Sequence, residues 1–163
     1  MNTAANQEQM RIAKVAAAEA YLADIRKLDQ RYKAAEVEYR MAVERASGLT
    51  GIDYSRDIVQ TSPSADAIHN AVERYTELKD QLDAMHAALN DAVDEAFEKI
   101  DTLDDTEASV LRMHYLLGLK YCDIARGLAY TEREIYRKRQ AGLEHLYDAG
   151  LPVQYRVNQQ QAI

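Results

Sequence analysis

The residues best placed to do chemistry lie between Thr131 and Gln140, in the run Thr-Glu-Arg-Glu-Ile-Tyr-Arg-Lys-Arg-Gln. The chemistry such a set performs is recognition. Guanidinium groups pair bidentately with guanine or bind phosphate, and a helix carrying them fits the major groove of B-DNA. Bond-making chemistry has no comparable foothold. There is no Gly-rich phosphate loop, no H-E-x-x-H, no pair of cysteines and no G-x-S-x-G. His69 and His86 stand seventeen residues apart with no third ligand nearby. His114 reads as a packing residue, and His145 as a cation suited to a helix C-terminus. The acidic residues read as a solvated helix face, because a metal cage needs converging ligands. The sequence therefore predicts no enzyme, no cofactor and no metal site.

The elements that must position this run are three helices. The first is expected over 106–117, with Val110, Leu111, Met113, His114 and Leu117 on one apolar face and a stop at Gly118. The second is expected over 121–128, with Ile124, Ala125 and Leu128 inward. Ala125 is small where two helices of a helix-turn-helix approach closely. Thr131 then opens the third helix, and Glu134 three residues on completes a T-x-x-E capping box. Ile135, Gly142, Leu143 and Leu146 supply its buried stripe. Its first two turns present Glu132, Arg133, Tyr136 and Arg137, with Arg133 and Arg137 toward bases or the adjoining phosphates. Lys138, Arg139 and Gln140 follow and are expected on phosphate, so the candidate DNA-binding set is Thr131, Glu132, Arg133, Tyr136, Arg137, Lys138, Arg139 and Gln140. The plain alternative is a three-helix packing unit with a solvated basic face.

Upstream the chain reads as two long helices. Up to Arg45 it has no Gly or Pro. Ala18, Tyr21, Ile25, Leu28, Tyr32, Ala35, Tyr39, Ala42 and Ala46 alternate at spacings of three and four, an a/d seam. Gly48 and Gly51 predict a connection over 47–62 whose Ile52, Tyr54, Ile58 and Val59 fold back on the helices. Ser62 and Pro63 read as the cap and first position of the next helix. There Ile68, Val72, Tyr75, Leu78, Leu82, Met85, Leu89, Ala92 and Ala96 repeat the seam, with acidic residues outside. Each helix, about 38 residues, spans roughly 57 Å.

The expected fold is all-α: a long antiparallel, coiled-coil-like helical hairpin over 9–100, then a helix-turn-helix unit over 104–147. A disordered tail is expected over 148–163. Seams rich in Tyr and Ala make a thin core, which predicts a homodimer.

Charge is unevenly spread. The net charge is −7. Residues 1–106 hold 12 Lys/Arg against 21 Asp/Glu, and residues 107–163 hold 8 against 6. The C-terminal part is thus weakly basic where phosphate contact is local. No apolar run approaches the roughly 20 residues that span a bilayer, so no membrane partner is expected. The start MNTAANQEQM has neither a basic region nor an apolar core, and Cys122 has no partner for a disulfide. Both predict the cytosol.

Thr106 to Leu146 resembles region four of bacterial sigma factors. The likeness rests on Val110-Leu111, Gly118, Asp123-Ile124-Ala125, Thr131, Ile135, Gly142-Leu143 and Leu146. With Tyr21-Leu22, Ile25-Arg26-Lys27-Leu28-Asp29 and Val59-Gln60-Thr61-Ser62-Pro63, residues 20–147 resemble the ArpU- and RinA-like phage late-gene regulators. The chain departs from that pattern at Ala129, where the family usually has Gly. It also has Lys138 in place of a large apolar residue, and the order Glu132-Arg133-Glu134. The resemblance implies double-stranded DNA as ligand and host RNA polymerase as partner. The alternative expectation is a non-enzymatic coiled-coil adaptor or assembly protein of a phage. A weaker one is a small terminase subunit, whose DNA unit would more typically be N-terminal.

Overall fold

In the computed structural model, residues 3–50 and 64–156 are described, and they contain five α-helices and no strand. These are α1 (Thr3–Thr50), α2 (Ala65–Ile100), α3 (Asp105–Leu111), α4 (Tyr121–Leu128) and α5 (Glu132–Asp148). A π-helical turn, Arg112–Leu116, follows α3, and a 3-10 turn, Val153–Tyr155, follows α5. Among the described residues no helix is long and apolar enough to cross a membrane. The all-α expectation holds.

α1 is longer than the sequence reading at both ends. It begins at Thr3 and runs through Ser47 and Gly48, where the Gly was expected to end it. One Gly costs a helix only about 1 kcal/mol relative to Ala. Here Ser47 stays in register, its hydroxyl donating to the Val43 carbonyl at 2.9 Å. The rest of the expected connection, including Ile52, Tyr54, Ile58, Val59, Ser62 and Pro63, lies outside the described residues. α2 begins at Ala65, two residues beyond the expected first position, and the Ser64 hydroxyl accepts from Ala67 N at 3.1 Å.

The chain divides into two compact units. Leu28–Asn90 is the first. In it α1 and α2 run antiparallel: Tyr32 meets His86 with ring centroids 5.3 Å apart, and Glu38 meets Arg74 at 3.1 Å. The expected seams face inward, but thinly. Ala46, Leu78 and Leu89 are buried, while Tyr32, Ala35, Tyr39, Leu82 and Met85 are half-buried. Val72 remains 39% exposed.

The second unit joins Met1–Lys27 with Asp91–Ile163. The boundary expected near residue 100 is bridged by its core. Ala18, Tyr21, Leu22 and Ile25 of α1 form one cluster with Ala96 and Ile100 of α2, Leu111 of α3, Tyr115, and Leu143 and Leu146 of α5. Each fully buried Leu or Ile here contributes about 1.5–3 kcal/mol. Leu22 and Ile100, which lie outside the expected seams, join Ile25 in this core. Ion pairs tie α1 to α5 at the rim, Arg11–Glu144 and Lys14–Asp148, both at 2.7 Å.

Residues 148–156, expected to be part of a disordered tail, are built into this unit. Leu151 is 2% exposed in the core. Tyr155 packs edge-on to Tyr21 at 5.3 Å and donates its hydroxyl to Asp24 at 2.9 Å. The apolar Leu151 and the amphipathic Tyr155 repay ordering that the polar composition alone did not promise.

Candidate nucleic-acid interface

α4 and α5 are the two helices of the expected helix-turn-helix, and their packing follows from a few residues. Ile124 and Ala125 of α4 and Ile135 of α5 are buried against Val110. The turn between them passes through Ala129 at φ 57 and ψ 37, the left-handed region. Both Ala129 N and Tyr130 N return to the Ala125 carbonyl. Thr131 then caps α5 reciprocally. Its hydroxyl accepts from Glu134 N at 3.3 Å, and Thr131 N donates to the Glu134 carboxylate at 2.9 Å. These bonds to Thr131 hold the Glu134 carboxyl below its usual range. Thr131 is therefore engaged in holding the helix start.

α5 lies close on α3 because residue 142 is Gly. A Cβ there would stand 3.2 Å from Glu107 Cβ and 3.3 Å from Leu111 Cδ1. Glu107 is buried and accepts from His145 Nδ1 at 2.7 Å. That bond raises the imidazole pKa above its ordinary value.

The first helix of the unit differs from its expected form. It is α-helical only to Leu111, and Leu117 N bonds the Arg112 carbonyl at 3.0 Å, a π-type step. The extra residue in that turn rotates the following face. Tyr115 enters the core at 5% exposure, and Leu117, expected inside, is 68% exposed. The chain then stops at Gly118, at φ 71, as expected.

The structure sorts the candidate residues of α5 into two groups. Arg133, Tyr136, Arg137 and Gln140 are exposed at spacings of three, one and three, and so share one face, with Glu132 at its start. Neither Arg133 nor Arg137 is in an ion pair among the described residues, although the Arg137 charge helps to lower the Glu134 carboxyl. Tyr136 is braced by Tyr121 of α4, ring centroids 4.4 Å apart, and Tyr121 stacks on His114 at 4.2 Å. His114 is fixed by its Nδ1–H donating to the Leu119 carbonyl at 3.0 Å.

Lys138 and Arg139 belong to the other group. Lys138 is half-buried, 3.7 Å from Asp104 Oδ2. Arg139 is 18% exposed, pairs with Glu19 of α1 and donates from Nε to Tyr115 Oη at 3.0 Å. Tyr115 in turn donates to Glu19 at 3.2 Å, and burial pushes its hydroxyl pKa well up. The guanidinium read as a phosphate contact is thus an internal strut. Sequence spacing placed Arg139 beside the basic run but could not show that α1 returns to this unit.

Lys120 was absent from the sequence reading. It is exposed, has no ion-pair partner among the described residues, and sits at the N-cap of α4. Its place immediately before the first helix of the pair was the available signal. Cys122 and Arg126 are also exposed, the latter 3.7 Å from Asp123. No group of three or more His, Cys, Asp or Glu among the described residues is arranged to hold a metal ion.

In comparisons with known proteins, no family model matches the chain, and neither a curated protein nor a solved structure matches it.

Proposed function

We propose that this chain is a phage or prophage regulator that binds double-stranded DNA through α5 and acts with host RNA polymerase on late genes, as a homodimer in the bacterial cytoplasm. One observation carries the DNA reading. A capped helix behind a tight turn presents Arg133, Tyr136, Arg137 and Gln140 on one exposed face, with neither arginine in an ion pair among the described residues. The first turns of such a helix enter the major groove, where Arg reads guanine and an apolar edge meets the thymine methyl. The phage, late-gene and polymerase parts rest on the sequence resemblance. The homodimer rests on the thin packing of Leu28–Asn90.

The test has two stages. Fragments of a phage genome retained by the chain define its site. The Arg133→Ala/Arg137→Ala double variant, shown to be folded, is then compared on that site. Each arginine is expected to contribute about 1–3 kcal/mol, and the double variant should also relax base choice. Equal binding by the double variant and the parent chain removes this reading.

A further inference from the structure

Arg26, on α1, points to a DNA surface wider than the helix-turn-helix. It is exposed and pairs with no carboxylate among the described residues. Its guanidinium lies beside Gly118: a Cβ added there would be 3.7 Å from Arg26 Nη2. The nearest acidic residue in sequence, Asp24, is already held by Lys27 at 2.8 Å and by the Tyr155 hydroxyl at 2.9 Å.

Gly118 leads through Leu119 and Lys120 directly into α4. The first residue of α4, Tyr121, touches Tyr136, which lies between Arg133 and Arg137 on the exposed face of α5. Arg26 beside Gly118, Lys120 next to Tyr121, and Arg133 and Arg137 flanking Tyr136 are thus connected through Gly118 and the Tyr121–Tyr136 pair. None of the four forms an ion pair among the described residues, although the Arg137 charge is felt by Glu134. Most other basic side chains of the same unit are in ion pairs, among them Arg11, Lys14, Lys99, Arg112 and Arg139, while Arg156 donates to the Leu151 carbonyl. Unpaired cations beside a groove-reading helix are what a phosphate backbone requires, because their attraction is not offset by an internal partner. In a helix-turn-helix the helix before the reading helix crosses that backbone.

Resting on the DNA reading above, we propose that Arg26 and Lys120 form a phosphate clamp. It holds one DNA backbone strand beside the entry to α4 while α5 reads the groove. The clamp brings α1 into the interface and adds affinity without base choice.

The experiment uses the full chain and a fluorescein-labelled duplex of about 30 base pairs, long enough for several phosphate contacts. Anisotropy titrations over a range of salt give the slope of log affinity against log salt. Arg26→Ala and Lys120→Ala should each flatten that slope by about 0.9 and weaken binding several-fold, with unchanged preference among duplex sequences. Arg40→Ala, the same charge change elsewhere on α1, should leave the slope alone. Circular dichroism melts confirm that each variant is folded. If Arg26→Ala matches Arg40→Ala while Arg133→Ala and Arg137→Ala still lose affinity, the clamp is wrong and the DNA reading stands. If the parent chain has no affinity for the duplex, both fall.

Discussion

At the scale of single residues, two positions in the C-terminal unit carry measurable consequences. Ala129 holds a left-handed backbone at φ 57. An L-residue with a Cβ pays about 1–2 kcal/mol for that conformation, and Gly pays far less. Ala129→Gly should therefore stabilise the chain by about 0.5–1 kcal/mol, read as a higher chemical-denaturation midpoint; a lower midpoint would contradict the turn geometry. His145 tests the Glu107 pair. Its folded-state pKa is raised above the ordinary 6.5, first by the hydrogen bond from its ring to Glu107, against a smaller opposing effect of burial. A raised pKa means that the protonated form is favoured by folding. The pair's contribution is thus complete below about pH 6.5 and is lost as pH rises through the folded value. Other charges facing the imidazole, Glu144 and Asp148, act in the same direction. Comparing the parent with His145→Gln at about pH 6 and about pH 8.5 should show a larger stability difference at the lower pH. The reverse order would remove the pair as a stabilising contact.

Helices pack as the spacing of small and large residues allows, and the elements show where that was legible. The α4 bounds, the capping box of α5 and the stop at Gly118 could all be read in advance, because each depends on neighbours within a turn. The π turn could not, since a one-residue insertion in the hydrogen-bond ladder leaves no mark in residue type. It exchanged Leu117 for Tyr115 in the core. Nor could the fate of Arg139, which depends on Glu19, 120 residues away. For the same reason the readable part of the candidate site is the face formed within α5 alone, and the partners from α1 stayed hidden. The close approach of α3 to α5 at Gly142 belongs to this scale. The neighbours there are Glu107 Cβ and Leu111, both anchored near helix backbone. Gly142→Val should cost about 1–3 kcal/mol by overpacking, despite the better helix propensity of Val over Gly. A rise in thermal midpoint for this variant would show that the two helices can move apart without loss.

For the molecule as a whole, the question is what an acidic chain with a small core does with its remaining apolar surface. Among the described residues of Leu28–Asn90 only Ala46, Leu78 and Leu89 are buried, while Val37, Met41 and Val72 are 39%, 50% and 39% exposed. An open groove of about 370 Å³ lies between α1 and α2 in this unit, lined by Met41, Ala42, Ala71 and Leu78 and rimmed by Glu38, Arg45 and Arg74. A two-helix pair leaves one side of each seam uncovered, and two such pairs cover one another in a four-helix bundle. A two-fold axis makes the same patch serve on both copies, and a rim holding both Glu and Arg can complement itself. Sedimentation at tens of micromolar should therefore report twice the 18.5 kDa chain mass. Met41→Glu should return the chain to monomer, because a carboxylate placed in an apolar interface is left unpaired and desolvated. A parent chain that stays monomeric at those concentrations removes the dimer. A Met41→Glu variant that stays dimeric keeps it and moves the interface away from this groove.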